Sequence, residues 1–430
     1  GFFMLRYFMI RTKINSGGLD VDFIRDQFPI LKKQINGHPL VYLDNASTCQ
    51  KPQAVIDAIT KCYCEYYANA HRGVHTLSQC ATTAFEHVRE QVRDFLHARS
   101  TDEVIFTRGT TEAINLVATS WGKSYLHEGD EVLISALEHH SNLVPWQQIC
   151  RVTGARLKVL PIEPSGVLQI DSLEHLLSNR TRVLALSHVS NVLGTINPLA
   201  AIIQKVRIYD QMQQGKKEKT IVLIDGAQAV PHISINVQEL DADFYAFSGH
   251  KLYGPSGIGV LYGRNDILRK MLPWQYGGGM VADVSFEQST FVVPPRCFEA
   301  GTANIAGVIG LGAAITWLQN LGIGVIAEHE QILLKYVTDQ LSQFSCIRIL
   351  GQVPLKAAVV AFIIKDIPAR NIGLALDKQG IAVQVGRHCA QPLMNFFGLQ
   401  ETVRVSFAVY NTLEEIDVFI SALHEIINQH

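Results

Sequence analysis

The sequence predicts an α/β protein with a mainly parallel, seven-stranded sheet in a large domain and a smaller α+β domain at the C-terminus. The first observation behind this prediction is that seven short runs rich in β-branched residues alternate with helical patterns over residues 104–262. The second is a change near residue 306, after which two long helical patterns precede strands and a closing helix. We therefore expect a large domain at 41–305 and a small domain at 306–430, joined by the N-terminal segment 20–40.

Each strand of the large domain is predicted where a short apolar run is bounded by turn residues or charges. These runs lie at 104–107, 131–135, 156–160, 182–186, 221–224, 243–247 and 259–262. The small domain is predicted to hold helices at 306–320, 325–343 and 413–428 and strands at 357–364, 381–385 and 402–407. Because strands that alternate with helices run parallel, their carboxyl ends are expected at one edge of the sheet.

The composition fits a globular protein with a large interior and excludes several other classes. Of 430 residues, 47% are hydrophobic and only 18% are charged, which excludes disorder over most of the chain. Lys and Arg total 37 against 39 Asp and Glu, so the net charge is −2. That balance argues against a nucleic-acid binder or a polybasic membrane protein. No apolar run in the sequence approaches the roughly 18 residues that a membrane span needs.

The eight cysteines lack the density and spacing of a disulfide scaffold, so we expect reduced thiols and a cytoplasmic protein. The apolar start at residues 1–13 is interrupted by Arg6 and is followed by no small-residue cleavage site. We interpret it as a ragged start rather than an export signal. Cys62 and Cys64 would point to different sides of a helix, and neighbouring histidines lack a third ligand, so no metal site is predicted.

Polar side chains follow five of the predicted strands directly. The loops that carry them are RGTTE, ALEHHSN, SHVSN, DGAQ and SGHK. In an open parallel sheet, ligands bind outside the carboxyl ends of the strands. The five loops are therefore expected to form one site.

Two of these loops indicate a particular cofactor. Thr110 and Thr111 lie between a strand and a helix, where they fit a phosphate, although a helix N-cap with Glu112 is the alternative. Asp225 and Lys251 follow neighbouring strands, and such a pair is by itself a salt bridge more often than a reactive site. Together with the phosphate site, however, they favour pyridoxal 5′-phosphate (PLP), which needs an amine, a carboxylate and a phosphate grip.

Three further residues are candidates with an ordinary structural alternative each. His139 can stack on a cofactor ring and move protons near neutral pH, or it is a satisfied core histidine. Cys389 lies in a polar loop directly after the predicted strand at 381–385, where flanking Arg387 and His388 are expected to favour its thiolate, or it is a buried small hydrophobe. Arg404 lies among apolar neighbours, so its guanidinium is expected to meet a carboxylate, either of a substrate or in a structural ion pair.

Nine stretches of the sequence match one known family: VYLDNAS, HRGVHTLS, RGTTEAINLVA, EHHSNLVPWQ, SNVLGT, DGAQAV, DFYAFSGHKLYGPSGIGVLYG, FEAGT and RHCAQPLM. On these stretches the sequence resembles the PLP-dependent cysteine desulfurases of the SufS type (group II), which are related to selenocysteine lyases and belong to the class V aminotransferase-like family. They span residue 42 to about 411 and include long uninterrupted strings. The resemblance implies the type I fold of PLP-dependent transferases.

The resemblance also implies a role for each matching residue. Lys251 corresponds to the lysine that binds the cofactor, Asp225 to the partner of the pyridine nitrogen, and Gln228 to a ligand of the phenolic oxygen. His139 matches the residue stacked on the ring. The phosphate contacts would come from Thr110, Thr111, Ser248 and His250, and from Thr302 of the second subunit of a homodimer. The substrate carboxylate would be held by Asn191 and Arg404, with Arg72 on the rim. Cys389 corresponds to the nucleophile that becomes a persulfide.

The activity implied by the resemblance is conversion of L-cysteine to L-alanine, with sulfur passed to a SufE-like or SufU-like acceptor for iron–sulfur cluster assembly. A selenocysteine lyase, or another PLP enzyme of the same family, is the alternative, and a non-enzymatic scaffold would need neither Lys251 nor Cys389. One departure concerns Gln384, where relatives often carry Arg, so that a charge expected near the substrate is missing.

Overall fold

The structure of the protein is a computed structural model, which describes residues 19–213 and 219–429. The apolar start at 1–13, predicted to be ragged, lies outside these residues. The strands are β1 Gln34–Ile35, β2 His38–Pro39, β3 Val41–Tyr42, β4 Val104–Thr107, β5 Glu131–Ser135, β6 Arg156–Leu160, β7 Thr181–Ser187, β8 Ile221–Asp225, β9 Phe244–Ser248, β10 Gly259–Gly263, β11 Val281–Val284, β12 Ser289–Phe291, β13 Ile347–Leu350, β14 Val359–Ile364, β15 Ile381–Ala382, β16 Gln384–Gly386 and β17 Thr402–Ser406.

The helices cover the faces of these strands and make up most of the remaining core. They are α1 Val21–Asp26, α2 Gln53–Lys61, α3 Thr76–Leu96, α4 Thr110–Val117, α5 Lys123–Tyr125, α6 Val144–Thr153, α7 Leu173–Leu176, α8 Leu199–Met212, α9 Asn265–Leu268, α10 Ile305–Leu321, α11 Ile323–Leu341, α12 Ala369–Asp377, α13 Gln391–Phe396 and α14 Leu413–Asn428.

The large sheet has seven strands in the order β4-β10-β9-β8-β7-β5-β6. Neighbouring strands from β9 to β6 are parallel, whereas β10 is antiparallel to both β9 and β4. The predicted mainly parallel, seven-stranded sheet is therefore confirmed. Since β4 runs in the same direction as the parallel strands, six strands present their carboxyl ends at one edge.

The sheet forms because both faces of its central strands are apolar, as expected for parallel strands covered by helices. In β7, Val183 and Ala185 face the core layer that includes α4 and α6. Leu184 and Leu186 face the opposite layer, which includes α3, α8 and α10. All four side chains are fully buried, so the large domain is a three-layer structure.

A four-stranded antiparallel sheet, in the order β13-β14-β17-β16, forms the small domain with α11, α12 and α14. The prediction of one strand at 381–385 is wrong, because the chain leaves one sheet and enters another there. β15 pairs in parallel with β3, and after Val383 the strand β16 pairs with β17. Strand β13 and helix α12 were not predicted. The mixed exposure along β13 explains why its sequence carries a weak strand signal.

The N-terminal segment packs against the last part of the chain. Arg25 forms an ion pair of 2.8 Å with Glu415 at the start of α14. The ring of Phe28 contacts Trp317 and Tyr410, with centroid distances of 5.4 and 4.6 Å. The division of the chain at 305/306 stays a prediction, and helix packing crosses it, since α10 packs against α2 and α3 of the large domain.

Within the described residues, no single helix is long and apolar enough to cross a membrane. The consecutive helices α10 and α11 reach that length and hydropathy only when taken together, and they are bent by 77° where they meet.

Candidate active site

A cavity of about 250 Å³ lies at the carboxyl edge of the large sheet, where residues of the small domain face the strand ends. It is lined by every predicted site residue except two. Those that line it are Thr110, Thr111, His139, Asn191, Asp225, Gln228, Ser248, His250, Lys251, Cys389 and Arg404. Ser187 and Asp225 are register partners at the ends of β7 and β8, which explains why residues far apart in sequence meet here.

Arg72 and Thr302 are the two predicted site residues that lie elsewhere. Both line a separate cavity of about 140 Å³, together with Arg296 and Glu299. Thr302 was expected to act from a second subunit, and Arg72 from the rim of the site. Both roles stay predictions, since the structure describes a single chain.

The hydroxyl groups of Thr110 and Ser248 form a polar cradle where α4 begins. Ser248 Oγ accepts from the Thr110 N–H at 2.8 Å and lies 2.7 Å from Thr110 Oγ1. The helix N-cap is Gly109, which has no side chain to donate or accept, so Thr110 is not the N-cap. Glu112 lies in the first turn of α4, as the alternative expected, and pairs with Arg108. The cradle combines hydroxyls with the positive end of a helix dipole, which suits a phosphate.

Lys251 and Asp225 lie in the cavity without forming the salt bridge that was the alternative. Among the described residues, Lys251 Nζ makes no hydrogen bond and has no carboxylate within 4.0 Å. Burial lowers the pKa of Lys251, although the charge of Asp225 opposes this. Burial also raises the pKa of Asp225, whose Oδ1 accepts from the Ala227 N–H at 3.0 Å. The site therefore holds an unpaired amine near a buried carboxyl group.

His139 is neutral in this cavity. Its Nδ1 accepts from the Ser141 N–H at 3.0 Å, which leaves the ring proton on Nε2. Burial and the charge of Lys251 lower the pKa of His139 to about 3. Burial likewise lowers the pKa of His250 to about 4, so neither histidine brings a positive charge at neutral pH.

His388, which flanks Cys389, does not supply the charge expected of it. Burial lowers the pKa of His388 to about 3, and its Nε2 lies 2.8 Å from Thr402 Oγ1. Arg387 donates to the side chain of Gln400 at 3.1 Å. The prediction that His388 places a cation beside the sulfur is therefore wrong, and the prediction for Arg387 stays a prediction. Lys251 and Arg404 line the same cavity as Cys389.

Arg404 is fully buried and forms the ion pair that was one of its two predicted uses. Nη2 donates to Asp44 Oδ1 at 3.2 Å and to Ser47 Oγ at 2.7 Å, and Nη1 donates to the carbonyl of Asn191 at 2.8 Å. Its Nε has no partner among the described residues. Gln384, which stands where relatives often have Arg, donates to the same Ser47 hydroxyl at 3.1 Å.

Asn191 supports the loop of Cys389. Its Nδ2 donates one of its two N–H groups to the carbonyl of His388 at 2.8 Å, while Oδ1 is buried without a partner within residues 19–213 and 219–429. The second N–H of Nδ2 is the donor that a substrate carboxylate would use. Its predicted contact with the substrate carboxylate stays a prediction.

One buried acid at this edge was missed by the prediction. Glu138 accepts from the Ser187 N–H at 3.0 Å and from Asn142 Nδ2 at 2.7 Å, and burial raises its pKa to about 7. The only signal was its place in the polar loop after β5, directly before His139. Nothing in a sequence distinguishes a buried carboxyl group in a loop from an exposed one.

The chain matches the family model described as aminotransferase class-V over residues 41–419. It is 50% identical over 409 residues to a cysteine desulfurase of Synechococcus elongatus, with 95% of this chain covered. It spans 64% of the length of that relative. A cysteine desulfurase of Salmonella agona is 49% identical over 407 residues, with 94% of this chain and 98% of the relative covered.

A solved structure agrees with these matches. The crystal structure of the cysteine desulfurase CsdA from Escherichia coli, in an S-sulfonic acid form, is similar with a TM-score of 0.87 and 38% identity. The similarity covers 96% of this chain and 99% of that one. This chain belongs to the class-V aminotransferase family and, within it, to the cysteine desulfurases. The predicted type I fold of PLP-dependent transferases is confirmed.

Proposed function

We propose that this chain is a cysteine desulfurase, which converts L-cysteine to L-alanine and carries the sulfur as a persulfide on Cys389. The observation that carries the proposal is that Cys389 and the unpaired amine of Lys251 line one cavity. An amine that shares a cavity with a buried carboxyl group suits a covalently bound carbonyl cofactor, and an exposed cysteine at the same cavity suits acceptance of sulfur. The relatives named cysteine desulfurase support the same activity.

The cofactor is pyridoxal 5′-phosphate, and the donors of the cavity fit it. The hydroxyls of Thr110, Thr111 and Ser248 at the start of α4 would hold its phosphate. Lys251 would bind its aldehyde carbon, and Asp225 would pair with its pyridine nitrogen. When bound, the cofactor supplies an electron sink that stabilises negative charge at the Cα of an amino acid.

Three neutral side chains complete the proposed cofactor site. Gln228, whose Nε2 donates to the Ala46 carbonyl at 2.6 Å, would contact the phenolic oxygen. His139 would lie against the ring, and its neutral state avoids repulsion with a protonated pyridine nitrogen. His250 would contact the phosphate through a hydrogen bond rather than through charge.

Arg404 is the proposed anchor for the carboxylate of L-cysteine. Its Nε–H is buried and has no partner in the described parts of the chain, and a carboxylate is an acceptor that suits such a donor. Its other nitrogens are held by Asp44, Ser47 and Asn191, so the guanidinium is fixed before the substrate arrives. Arg72 is proposed to act at the rim of the assembled site.

The proposed sulfur transfer balances without an external oxidant. The Cys389 thiolate forms an S–S bond with the substrate sulfur as the C–S bond of L-cysteine breaks. The electron pair of that bond stays with the carbon skeleton, which takes up a proton and leaves as L-alanine. Arg404 would supply positive charge in the cavity that Cys389 lines.

The proposal also covers the sulfur acceptor, the cellular location and the oligomeric state. The persulfide would pass to a small acceptor protein of the SufE or SufU kind for iron–sulfur cluster assembly in the cytoplasm. A homodimer is supported by the exposed apolar side chains of Leu272, Tyr276 and Phe286, which a partner subunit would cover. In that assembly Thr302 would reach the phosphate of the other subunit.

The test is a comparison of Cys389→Ala with the parent holoenzyme. We expect Cys389→Ala to keep the absorbance of bound PLP but to release no L-alanine from L-cysteine above background. Cys64→Ala, which removes another exposed cysteine, should retain full release. Full desulfurase activity of Cys389→Ala would contradict the assignment. Faster alanine release from L-selenocysteine than from L-cysteine in the parent would favour a selenocysteine lyase.

A further inference from the structure

We propose that His140 is a positioning residue that holds the Cys389 loop, residues 387–391, at the mouth of the cavity. The inference rests on the proposed function, since it explains how the nucleophilic sulfur is oriented. His140 itself does not line the cavity. It follows His139 in the polar loop after β5, and so it lies on the large-domain side of the site.

His140 forms two hydrogen bonds to the Cys389 loop. Its backbone N–H donates to the carbonyl of Cys389 at 2.7 Å. Its ring Nε2 accepts from the backbone N–H of Gln391 at 3.1 Å, where α13 begins. One bond therefore holds the carbonyl of Cys389 itself, and the other holds the backbone two residues later, at Gln391. Because the ring accepts through Nε2, the ring proton lies on Nδ1.

The loop needs such support because its backbone is strained. His388 and Cys389 have φ angles of +51° and +52°, a conformation that costs free energy for residues other than glycine. Asn191 Nδ2 holds the carbonyl of His388 at 2.8 Å. Three hydrogen bonds from the large domain thus maintain a conformation that the loop alone would not favour.

The turn that carries His140 is itself anchored. Glu138 accepts from Asn142 Nδ2 at 2.7 Å and from the Ser187 N–H at 3.0 Å, which ties the turn to the end of β7. His139, which faces the cavity, and His140, which holds the sulfur-bearing loop, are adjacent on this turn. The position of Cys389 relative to the cofactor site is thereby set by one short element, and small displacements of reacting groups slow a reaction strongly.

Substitutions at His140 can separate the ring from the backbone contact. His140→Leu keeps the backbone N–H but removes the acceptor for Gln391. His140→Gln places an acceptor at the same reach as Nε2 and should restore the contact. His140→Asn is polar but too short to reach Gln391, so it should behave like the leucine variant.

The experiment measures alkylation of Cys389 in the holoenzyme without substrate, together with alanine release. Iodoacetamide labelling, read by peptide mass spectrometry, uses exposed Cys64 and Cys80 as internal references. We expect His140→Leu and His140→Asn to label Cys389 about threefold faster, with both references unchanged. In the same variants kcat should fall about tenfold at an unchanged KM, while His140→Gln stays within about twofold of the parent.

The outcomes separate this inference from the proposed function. Equal labelling and equal kcat in His140→Leu and the parent would overturn the positioning role. A His140→Gln variant as impaired as His140→Leu would also overturn it, because the ring would then matter for packing alone. If the parent releases no alanine while labelling of Cys389 still responds to His140 as expected, the proposed function fails and the positioning role stands.

Discussion

Two basic side chains, Lys251 and Arg404, share the cavity, and their surroundings give them different uses. Lys251 Nζ makes no hydrogen bond among the described residues, and burial lowers its pKa, so the neutral amine becomes accessible for covalent chemistry. Arg404 is held by three partners, and its Nε has no partner in the part of the chain that the structure describes. The first arrangement suits a reacting group and the second suits an anchor for an anion.

At the scale of residues, the position of most candidate side chains at the site could be predicted from the sequence, but their protonation states could not. The strand-end rule located Asp225, Lys251 and His139, because polar residues after buried strands are visible in the sequence. It also led to the wrong expectation for His388, whose burial depends on packing against β17. Protonation follows from tertiary burial and partners, which neighbouring residues in the sequence do not reveal.

Glu138→Gln should change the pH dependence of stability. Burial raises the pKa of Glu138 from 4.5 to about 7, so between these pH values the folded state binds more protons than the unfolded state. The free energy of unfolding contributed by this group therefore falls as pH rises from 4.5 to 7. We expect the free energy of unfolding of Glu138→Gln to rise by about 3 kcal/mol relative to that of the parent as the pH goes from 4.5 to 7. Urea unfolding at the two pH values measures this difference.

The matched control for this prediction is Glu163→Gln, which changes an exposed carboxyl group. The free energy of unfolding of Glu163→Gln should change between pH 4.5 and pH 7 by the same amount as that of the parent. Parallel profiles for Glu138→Gln and the parent would show that Glu138 does not titrate in the folded protein in this range.

At the scale of elements, the large sheet was predictable and the small-domain edge was not. The seven strands of the large sheet lie within one residue of their predicted bounds. Most of them are short apolar runs buried on both faces, which leave a clear signal, whereas β6 is largely exposed. The prediction of one strand at 381–385 failed because these residues are divided between two sheets. Pairing partners decide such a break, and local sequence does not contain them.

Strand β10 fixes the cradle at the start of α4, and Gly259→Ala should disturb it. Gly259 pairs with Thr107 on one side and Ser248 on the other. A Cβ there would lie 2.5 Å from Gly109 Cα and 2.6 Å from the Phe247 carbonyl oxygen. We expect a loss of about 2 kcal/mol in the free energy of unfolding and about tenfold weaker retention of PLP, measured by urea unfolding and by absorbance after dialysis.

Gly324→Ala provides the comparison, because a Cβ at this position in α11 meets nothing within 4 Å. It should leave PLP retention unchanged and should stabilise the helix by up to about 1 kcal/mol. If Gly259→Ala behaved like Gly324→Ala, the close approach of β10 to the cradle would not control cofactor binding.

At the scale of the whole molecule, the site exists only where two parts of the chain meet. The large sheet contributes Lys251 and the cradle, while Cys389 and Arg404 come from the C-terminal part, which the N-terminal segment braces through Arg25 and Glu415. The resemblance to a known family could name these residues in the sequence. Only the packed chain shows that Arg72 and Thr302 line a separate cavity.

The most direct test of the account is the mass of the peptide that carries Cys389 after the holoenzyme is treated with L-cysteine. We predict that this peptide gains one sulfur atom in the parent and gains none in Lys251→Ala. The other seven cysteines should stay unchanged, and reduction should remove the added sulfur. Release of alanine with no added sulfur on Cys389, or with the sulfur on another cysteine, would contradict the account.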